Sequence, residues 1–354
     1  MSAPSESSHT RGAMTSQQII LTAPRTAQLQ TQQLPKLAPN EWSLKAEVSL
    51  VSTGTELIIF QGEFEPGSHW DRWVKFPFHY LGYNLVGRVE AVGEAVTEVK
   101  VGERFAARSP HVSRRVFSGG PTDRLRRVPD AVSSEDAAWF GMASIAQVGF
   151  RRARMEFGDA VAIIGAGILG QLLTQYARIG GAREVIVIDT APARLELAKN
   201  HGATLTFDGT ADKARDFVFE HTQGRGADLV FDVTGHPSAF SAGLRLPRDF
   251  GTFFLLGDAP RPNEQRLTGD VVTRGVRIIG GHDGHTGAHN SGLADWPADR
   301  MTDLFFTFLE RGQMKVSDLV THRFDYSEAT TAYPMLLQDR SKALGVLFDW
   351  TGAE

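Results

Sequence analysis

The sequence predicts an α/β protein in two parts, one of them a doubly wound parallel sheet. A glycine-punctuated strand–turn–helix–strand unit lies between Asp159 and Ala203, and further alternations of strand and helix follow as far as Gly280. A β-rich, glycine-punctuated stretch precedes this unit, from Gln18 to Val128. Repeated β-α alternation builds a parallel sheet, whereas short strands with tight turns suit an antiparallel barrel.

The central unit carries the clearest chemistry. Val161 to Ile164 is a short apolar run of the kind that fills a buried strand. Gly165, Gly167 and Gly170 follow in G-x-G-x-x-G spacing. Gly165 permits the sharp turn out of the strand, Gly167 leaves the backbone open to a pyrophosphate, and Gly170 lets the helix pack on the strand. That helix opens with Ile168 and Leu169, and its N-terminus offers unpaired N–H groups and a positive dipole end to phosphates. A second apolar run, Val185 to Ile188, ends in Asp189. A carboxylate about 20 residues past the glycines accepts hydrogen bonds from the adenosine ribose and repels a 2′-phosphate, so NAD is the expected cofactor. Arg194 either stacks beside the adenine or ribose or is an exposed helix arginine. The competing reading of the whole unit is a tight βα turn with no ligand.

Composition sets the limits. A chain of 354 residues suits two domains. A net charge of -4 gives no electrostatic case for nucleic acid or an anionic membrane. No apolar run approaches the ~20 residues needed to cross a bilayer. Residues 1–16 read as a disordered leader rich in Ser and Thr, without the apolar core of a secretory signal; Met14 offers an alternative start, and the cytoplasm is the expected location. The absence of cysteine excludes disulfides and any thiolate metal site.

In chain order, Gln18 to Leu21 and Ala27 to Leu29 read as two strands joined at Pro24, and Trp42 to Ser52 alternates as a half-buried strand. A polar Ser52-Thr53-Gly54-Thr55-Glu56 turn leads into a short helix or turn. The aromatic stretch from Glu63 to Phe78 either walls a substrate site or caps the core, and His79 to Glu103 reads as short strands between glycines. Ser133 to Ala153 is helical in its spacing. Beyond the central unit, strands are expected at Thr204–Phe207, Ala227–Val233, Gly251–Gly257 and Val276–Gly280, with helices between them. A helix from Asp299 to Glu310 precedes a strand, a helix and a last strand at Gly345–Trp350.

The runs F-G-D-A-V-A-I-I-G-A-G-I-L-G, D-L-V-F-D-V-T-G and F-F-L-L-G, with the closing T-H-R-F-D-Y-S-E-A-T-T-A-Y, resemble the medium-chain dehydrogenase/reductase superfamily across residues 17 to 350. The polyol and threonine dehydrogenase-like members are the nearest in pattern, and the S-T-G-T-E turn is similar to that of the bacteriochlorophyllide hydroxyethyl dehydrogenases. The resemblance implies a GroES-like β-barrel catalytic domain, residues 17–154 plus 299–354, with a Rossmann domain, residues 155–298, inserted in it. It implies a homodimer joined through edge strands near Phe253 and Ile278, and a cofactor in the cleft between domains. There Leu169 would back the nicotinamide, and groups near Thr234, Leu256 and Ile279 would line it.

Departures from that family bear on mechanism. Zinc-dependent members carry a cysteine near the S-T-G-T-E turn, where this chain has Glu56, and Gly-His-Glu where it has Gly82-Tyr83-Asn84. Their third ligand falls near Met142-Ala143, and their relay hydroxyl near Ile58. No metal is therefore expected at either the catalytic or the structural zinc site. Glu56 as a general base, or Tyr83 and Asn84 as hydrogen-bonding groups, are the candidate replacements; for Glu56 the alternative is a turn residue bonded to backbone N–H groups. His282, His285 and His289 form a second cluster, with His282 and His285 as candidates for substrate binding or proton transfer. The expected function is a zinc-independent, NAD-dependent oxidoreductase acting on a secondary alcohol or ketone of a hydroxylated small molecule. An enoyl or quinone reductase and a non-catalytic dinucleotide-binding protein are the competitors.

Overall fold

The computed structural model describes residues 14–120, 123–286 and 296–353. Two large sheets organise them. The first is six-stranded and wholly parallel, and its centre is the strand Ala160–Ile164, flanked by Glu184–Asp189 and Ala227–Asp232. Leu205–Asp208 lies outside Glu184–Asp189, and on the other side Pro247–Leu255 and then Arg277–Gly280 complete the sheet. Chain order reverses at Ala160–Ile164, and ligands of open α/β sheets bind at the carboxyl ends of the strands beside such a point. The central strand is buried along its whole length, as a parallel strand covered on both faces must be.

The second sheet has seven strands and is drawn from both ends of the chain. Trp42–Leu50 pairs antiparallel with Leu85–Val92, and on its other edge with Arg114–Phe117 and Gly345–Asp349. The last strand thus returns to the first part of the chain, with Leu347 opposite Leu50. One pairing departs from the expected antiparallel barrel: Val320–Asp325 and Gly345–Asp349 run parallel, because the helix Ala329–Gln338 carries the chain back between them. A separate hairpin, Thr15–Ala23 with Thr26–Gln33, begins inside the segment read as a leader.

Helix Phe140–Ala153 joins the two halves. It packs on helix Ile168–Ile179 and on helix Ala298–Glu310, where Gln147 Nε2 donates to the Met301 carbonyl at 2.7 Å. One apolar core runs from Leu50 and Leu347 of the mixed sheet, through Trp139 and Phe140, to Ile163 and Phe231 of the parallel sheet. This continuity fixes how the two sheets face each other across the cleft.

The local expectations largely stand, with physical reasons where they shift. The helix expected from Ser133 breaks into Ser134–Ala137 and Phe140–Ala153, and the helix expected from Ala211 splits into Ala211–Lys213 and Arg215–His221. His79 to Glu103 yields a single strand, Leu85–Val92, which contains Gly87, where a Cβ would stand 2.2 Å from the Lys45 carbonyl oxygen. Phe253 is not an edge residue: its strand is paired on both sides and its side chain is fully buried, which leaves Arg277–Gly280, with Ile278, at the sheet margin. Among the described residues no helix is long and apolar enough to cross a membrane.

Candidate active site

A cleft of about 900 Å³ lies between the two sheets. At one end it is lined by the glycine turn. Gly165 leaves the strand with φ +103°, a region that L side chains rarely adopt, and a Cβ there would stand 2.8 Å from the Thr234 side chain. A Cβ on Gly170 would stand 1.9 Å from the Gly165 carbonyl oxygen, so only glycine lets the helix approach the strand this closely. A Cβ on Gly167 would meet nothing within 4 Å; its face opens to the cleft. Ile168, Leu169, Thr234 and Leu256 line the cleft beside it.

Asp189 closes this end. Its carboxylate accepts from the Ala166 N–H at 2.6 Å and the Ala191 N–H at 2.8 Å, which ties the tip of the second strand to the glycine turn. Arg194 also lines the cleft and is not an exposed helix arginine: its Nη2 donates to the carbonyls of Arg340 and Ala343. Burial holds its guanidinium below the usual arginine range, an effect that Asp189 opposes. Thr234 is fixed by Asp232, whose Oδ1 accepts from the Thr234 N–H at 2.8 Å and its hydroxyl at 2.7 Å. Ile279 does not reach the cleft. It pairs with Phe254 inside the sheet and packs on the core, and Gly281 and His282 line the cleft in its place. The open Gly167 face, the helix N-terminus and the Asp189 carboxylate together fit a dinucleotide.

The other end is built from side chains. Tyr83 lines the cleft, and its hydroxyl donates to Ser52 Oγ at 2.6 Å and lies 3.4 Å from Met142 Sδ. The hydroxyl therefore ties the turn after the strand Trp42–Leu50 to helix Phe140–Ala153. Burial pushes the Tyr83 phenol up; Arg108 acts against this, as do the Ser52 and Thr55 hydroxyls, while Asp283 adds to the rise. Ser52 and Thr55 bring hydroxyls to the cleft, which Ile58 lines as an apolar residue. The S-T-G-T-E motif was the available signal, since it ends a strand and begins the helix Thr55–Gln61 at the cleft wall.

Glu56 is not in the cleft. It is fully buried behind it, where Oε1 accepts from the Ser52 N–H at 2.7 Å, and Oε2 accepts from Tyr333 Oη at 2.6 Å and faces His111 Nε2 at 2.9 Å. His111 Nδ1 meets Ser49 Oγ at 2.7 Å, and Trp350 Nε1 donates to the same oxygen at 2.8 Å. A carboxylate enclosed by these donors braces the turn that carries Ser52 and is out of reach of a substrate. Asn84 is also corrected: it is fully buried, its Nδ2 is 3.5 Å from the Leu50 carbonyl, and its Oδ1 lies against Gly141 under helix Phe140–Ala153.

His282 lines the cleft, with its Nδ1 accepting from the Gly284 N–H at 3.0 Å. His285 stands in the adjoining turn Asp283–Thr286, and His289 lies outside the described residues. His69 Nε2 meets Asp258 Oδ2 at 2.8 Å across the mouth, where burial pushes the Asp258 carboxyl up and His69 and His282 oppose that rise. Trp70 and Trp73 both line the cleft; Trp70 is buried and Trp73 is 49% exposed, so the aromatic segment both caps the core and walls the site.

The sequence from residue 169 to 295 matches the family model described as zinc-binding dehydrogenase. An L-threonine 3-dehydrogenase of Bacillus subtilis (strain 168) is 30% identical over 283 residues, spanning 70% of this chain and 77% of that protein. The chain belongs to the medium-chain dehydrogenase/reductase superfamily. A D-guloside 3-dehydrogenase of Escherichia coli (strain K12) is 23% identical over 349 residues, covering 93% of this chain and 99% of that protein. The crystal structure of an E. coli dehydrogenase complexed with NADH shares the fold, with a TM-score of 0.76 at 20% identity over 95% of this chain and 99% of that one.

This medium-chain dehydrogenase has no cysteine, and so no thiolate to offer a metal. Among the described residues no group of three or more His, Asp or Glu side chains is arranged to hold a metal ion. The Tyr83 hydroxyl engages both Ser52 and Met142 in the cleft. Neutral hydroxyls and a thioether are weak partners for zinc, which prefers thiolate and imidazole.

Proposed function

We propose that this member of the superfamily is a zinc-independent, NAD-dependent oxidoreductase that interconverts a secondary alcohol and a ketone on a hydroxylated small molecule, such as a sugar, a cyclitol or a specialised metabolite. The observation that carries the reading is the Tyr83 hydroxyl, which stands in the cleft and is bonded to Ser52 in the space of the family's metal. A bound nicotinamide supplies the hydride acceptor or donor. The chain's own residues supply the rest. Leu169, Ile145 and Leu256 give an apolar wall that excludes water. Tyr83 moves the proton: its phenol gives a proton to a ketone oxygen in reduction, and its phenolate takes one from an alcohol in oxidation. Ser52 and Thr55 hold the hydroxyl in place and share its proton.

Several features support the substrate class. Trp70 and Trp73 offer ring faces to the CH side of a polyol, and His69, His282, Arg108 and Arg124 offer hydrogen bonds to its hydroxyls. Asp189 supports NAD over NADP through charge repulsion. We place a second copy of the chain against the edge strand Arg277–Gly280, and the protein in the cytoplasm.

The test combines elemental analysis of the purified protein, fluorescence titration with NADH and NADPH, and a turnover screen over polyols, cyclitols, glycosides, L-threonine and enones. The expected result is tighter NADH binding and turnover of a secondary alcohol that survives chelation. Stoichiometric zinc on which activity depends overturns the mechanism. Enone reduction with NADPH replaces it with a reductase, and tight NADH binding without turnover replaces it with a non-catalytic protein.

A further inference from the structure

Arg108 lines the cleft beside Tyr83, and the sequence did not single it out. It follows the strand Arg104–Ala107, and its backbone N–H donates to the Arg124 carbonyl at 3.0 Å. Its guanidinium lies on Tyr83, with Cζ 4.8 Å from the ring centroid, and 5.8 Å from the centroid of Phe140. Nη2 donates to the Gly141 carbonyl at 3.2 Å and to Asp283 Oδ2 at 2.8 Å. The side chain is only 13% exposed. A guanidinium so enclosed, gripped at one end and set over a ring, has little freedom to leave.

We propose that Arg108 is the fixed cation of this site and a positioning residue that acts through Tyr83, stabilising the phenolate formed when the phenol gives up its proton. The proposal rests on the acid–base reading of Tyr83 given above. In reduction, the Tyr83 O–H bond breaks as an O–H bond forms on the carbonyl oxygen, while the carbonyl carbon receives hydride from the reduced nicotinamide. The charge left behind is a phenolate, and Arg108 faces it from the ring side. A proton from solvent, passed along Ser52 or Thr55, restores the phenol. Oxidation runs through the same positions in reverse.

Among the described residues, two guanidiniums and one carboxylate stand beside Tyr83 on this side of the cleft. Asp283 lies 2.8 Å from Arg108 and 3.6 Å from Arg124, so two guanidiniums share one carboxylate. The ring of His282 stands 3.5 Å from the same carboxylate. The remaining neighbours of the hydroxyl are the uncharged Ser52, Thr55 and Met142. A cation within 4–6 Å of an acid typically favours its anion by roughly one to three pKa units. Arg108 lowers the Tyr83 phenol and Asp283 raises it, so the two sides of this ion pair pull the same proton in opposite directions. Asp283 belongs to the dinucleotide side of the cleft and Arg108 to the mixed sheet, so the balance is struck only where the two halves meet.

The test is a tyrosinate absorbance titration, which needs no substrate and therefore reads out even if no alcohol is turned over. Subtracting Tyr83→Phe from the wild type isolates the Tyr83 transition, and the same subtraction in the Arg108→Gln background isolates it without the guanidinium. The expected midpoint rises by about one unit or more in Arg108→Gln. In Asp283→Asn, a substitution at the rim of the cleft, it falls, because the opposing anion is gone. An unchanged midpoint in both backgrounds overturns the proposal. If Arg108→Gln does not fold, as read by circular dichroism, Asp283→Asn decides alone: a downward shift supports the proposal and a fixed midpoint overturns it.

Discussion

The two ends of the cleft are held together by different means. At the glycine-turn end, a contiguous run from Ala160 to Asp189 forms the wall, and most of what it offers a ligand is backbone. Gly167 exposes its peptide, Gly170 lets the helix close on the strand, and Asp189 is fastened to that turn by two N–H groups. At the substrate end, the groups come from segments far apart in the chain: Ser52, Tyr83, Arg108, Met142 and Asp283. Behind them Glu56 and His111, from the segments that carry Ser52 and Arg108, form a buried brace with Tyr333. Backbone recognition suits a ligand whose phosphates and ribose are constant, whereas converging side chains can be exchanged one by one. The difference explains how a family can keep its cofactor half and rewrite its chemistry.

Substitutions at each end sharpen that contrast. Tyr83→Phe carries the largest expected effect: kcat for the alcohol–ketone reaction falls by about 10²–10⁴-fold, with NADH affinity unchanged by fluorescence titration. A variant with near-normal kcat would move the proton elsewhere, with His282 the next group to test. The phenol, raised by burial, is protonated at neutral pH, so steady-state oxidation should accelerate as pH rises and reduction should not. A flat oxidation profile from neutral to alkaline pH would remove Tyr83 as the base.

Glu56→Ala acts on stability first. It leaves His111 and Tyr333 facing an unfilled, buried space, and breaking such a network typically costs about 3–5 kcal/mol. Thermal or urea unfolding measures the loss, and Glu56→Gln should recover part of it by keeping the shape. Activity lost with no change in stability would return Glu56 to the list of catalytic candidates. At the other end, Gly167→Ala should leave the melting temperature nearly unchanged, since the added methyl meets no protein atom, yet weaken NADH binding about tenfold. Gly170→Ala should do the reverse, lowering the melting temperature by overpacking against the Gly165 carbonyl. The smallest effect is expected at Asp189→Asn, where the ratio of NADPH to NADH affinity rises severalfold as the repelling charge is removed.

How much of this was legible in the sequence follows from the range of each interaction. The strand, glycine turn, helix and acid of the dinucleotide half are readable because hydrophobic period and glycine spacing act over one strand or one helical turn. Tyr83 was also found, through its place in a family pattern. Glu56 was open between a base and a turn residue bonded to backbone N–H groups, and the structure favours the second: the first turn of Thr55–Gln61 sends it inward, to the Ser52 N–H and His111. Asn84 follows Tyr83 by one residue and so points to the opposite side, into the packing under helix Phe140–Ala153. Ile279 failed for a similar reason, since the cleft begins just past its strand, at Gly281.

By itself the sequence determined the parallel sheet and the glycine turn that opens to the cleft, which depend on residues near one another in the chain, and its lack of cysteine removes any thiolate ligand. Only the tertiary structure decided that the Tyr83 hydroxyl spans Ser52 and Met142, that Glu56 is a buried brace, and that Arg108 meets Asp283 beside the phenol. Those contacts depend on strand register and on the angle at which two sheets pack across a shared core, and neither is encoded within any short stretch of residues.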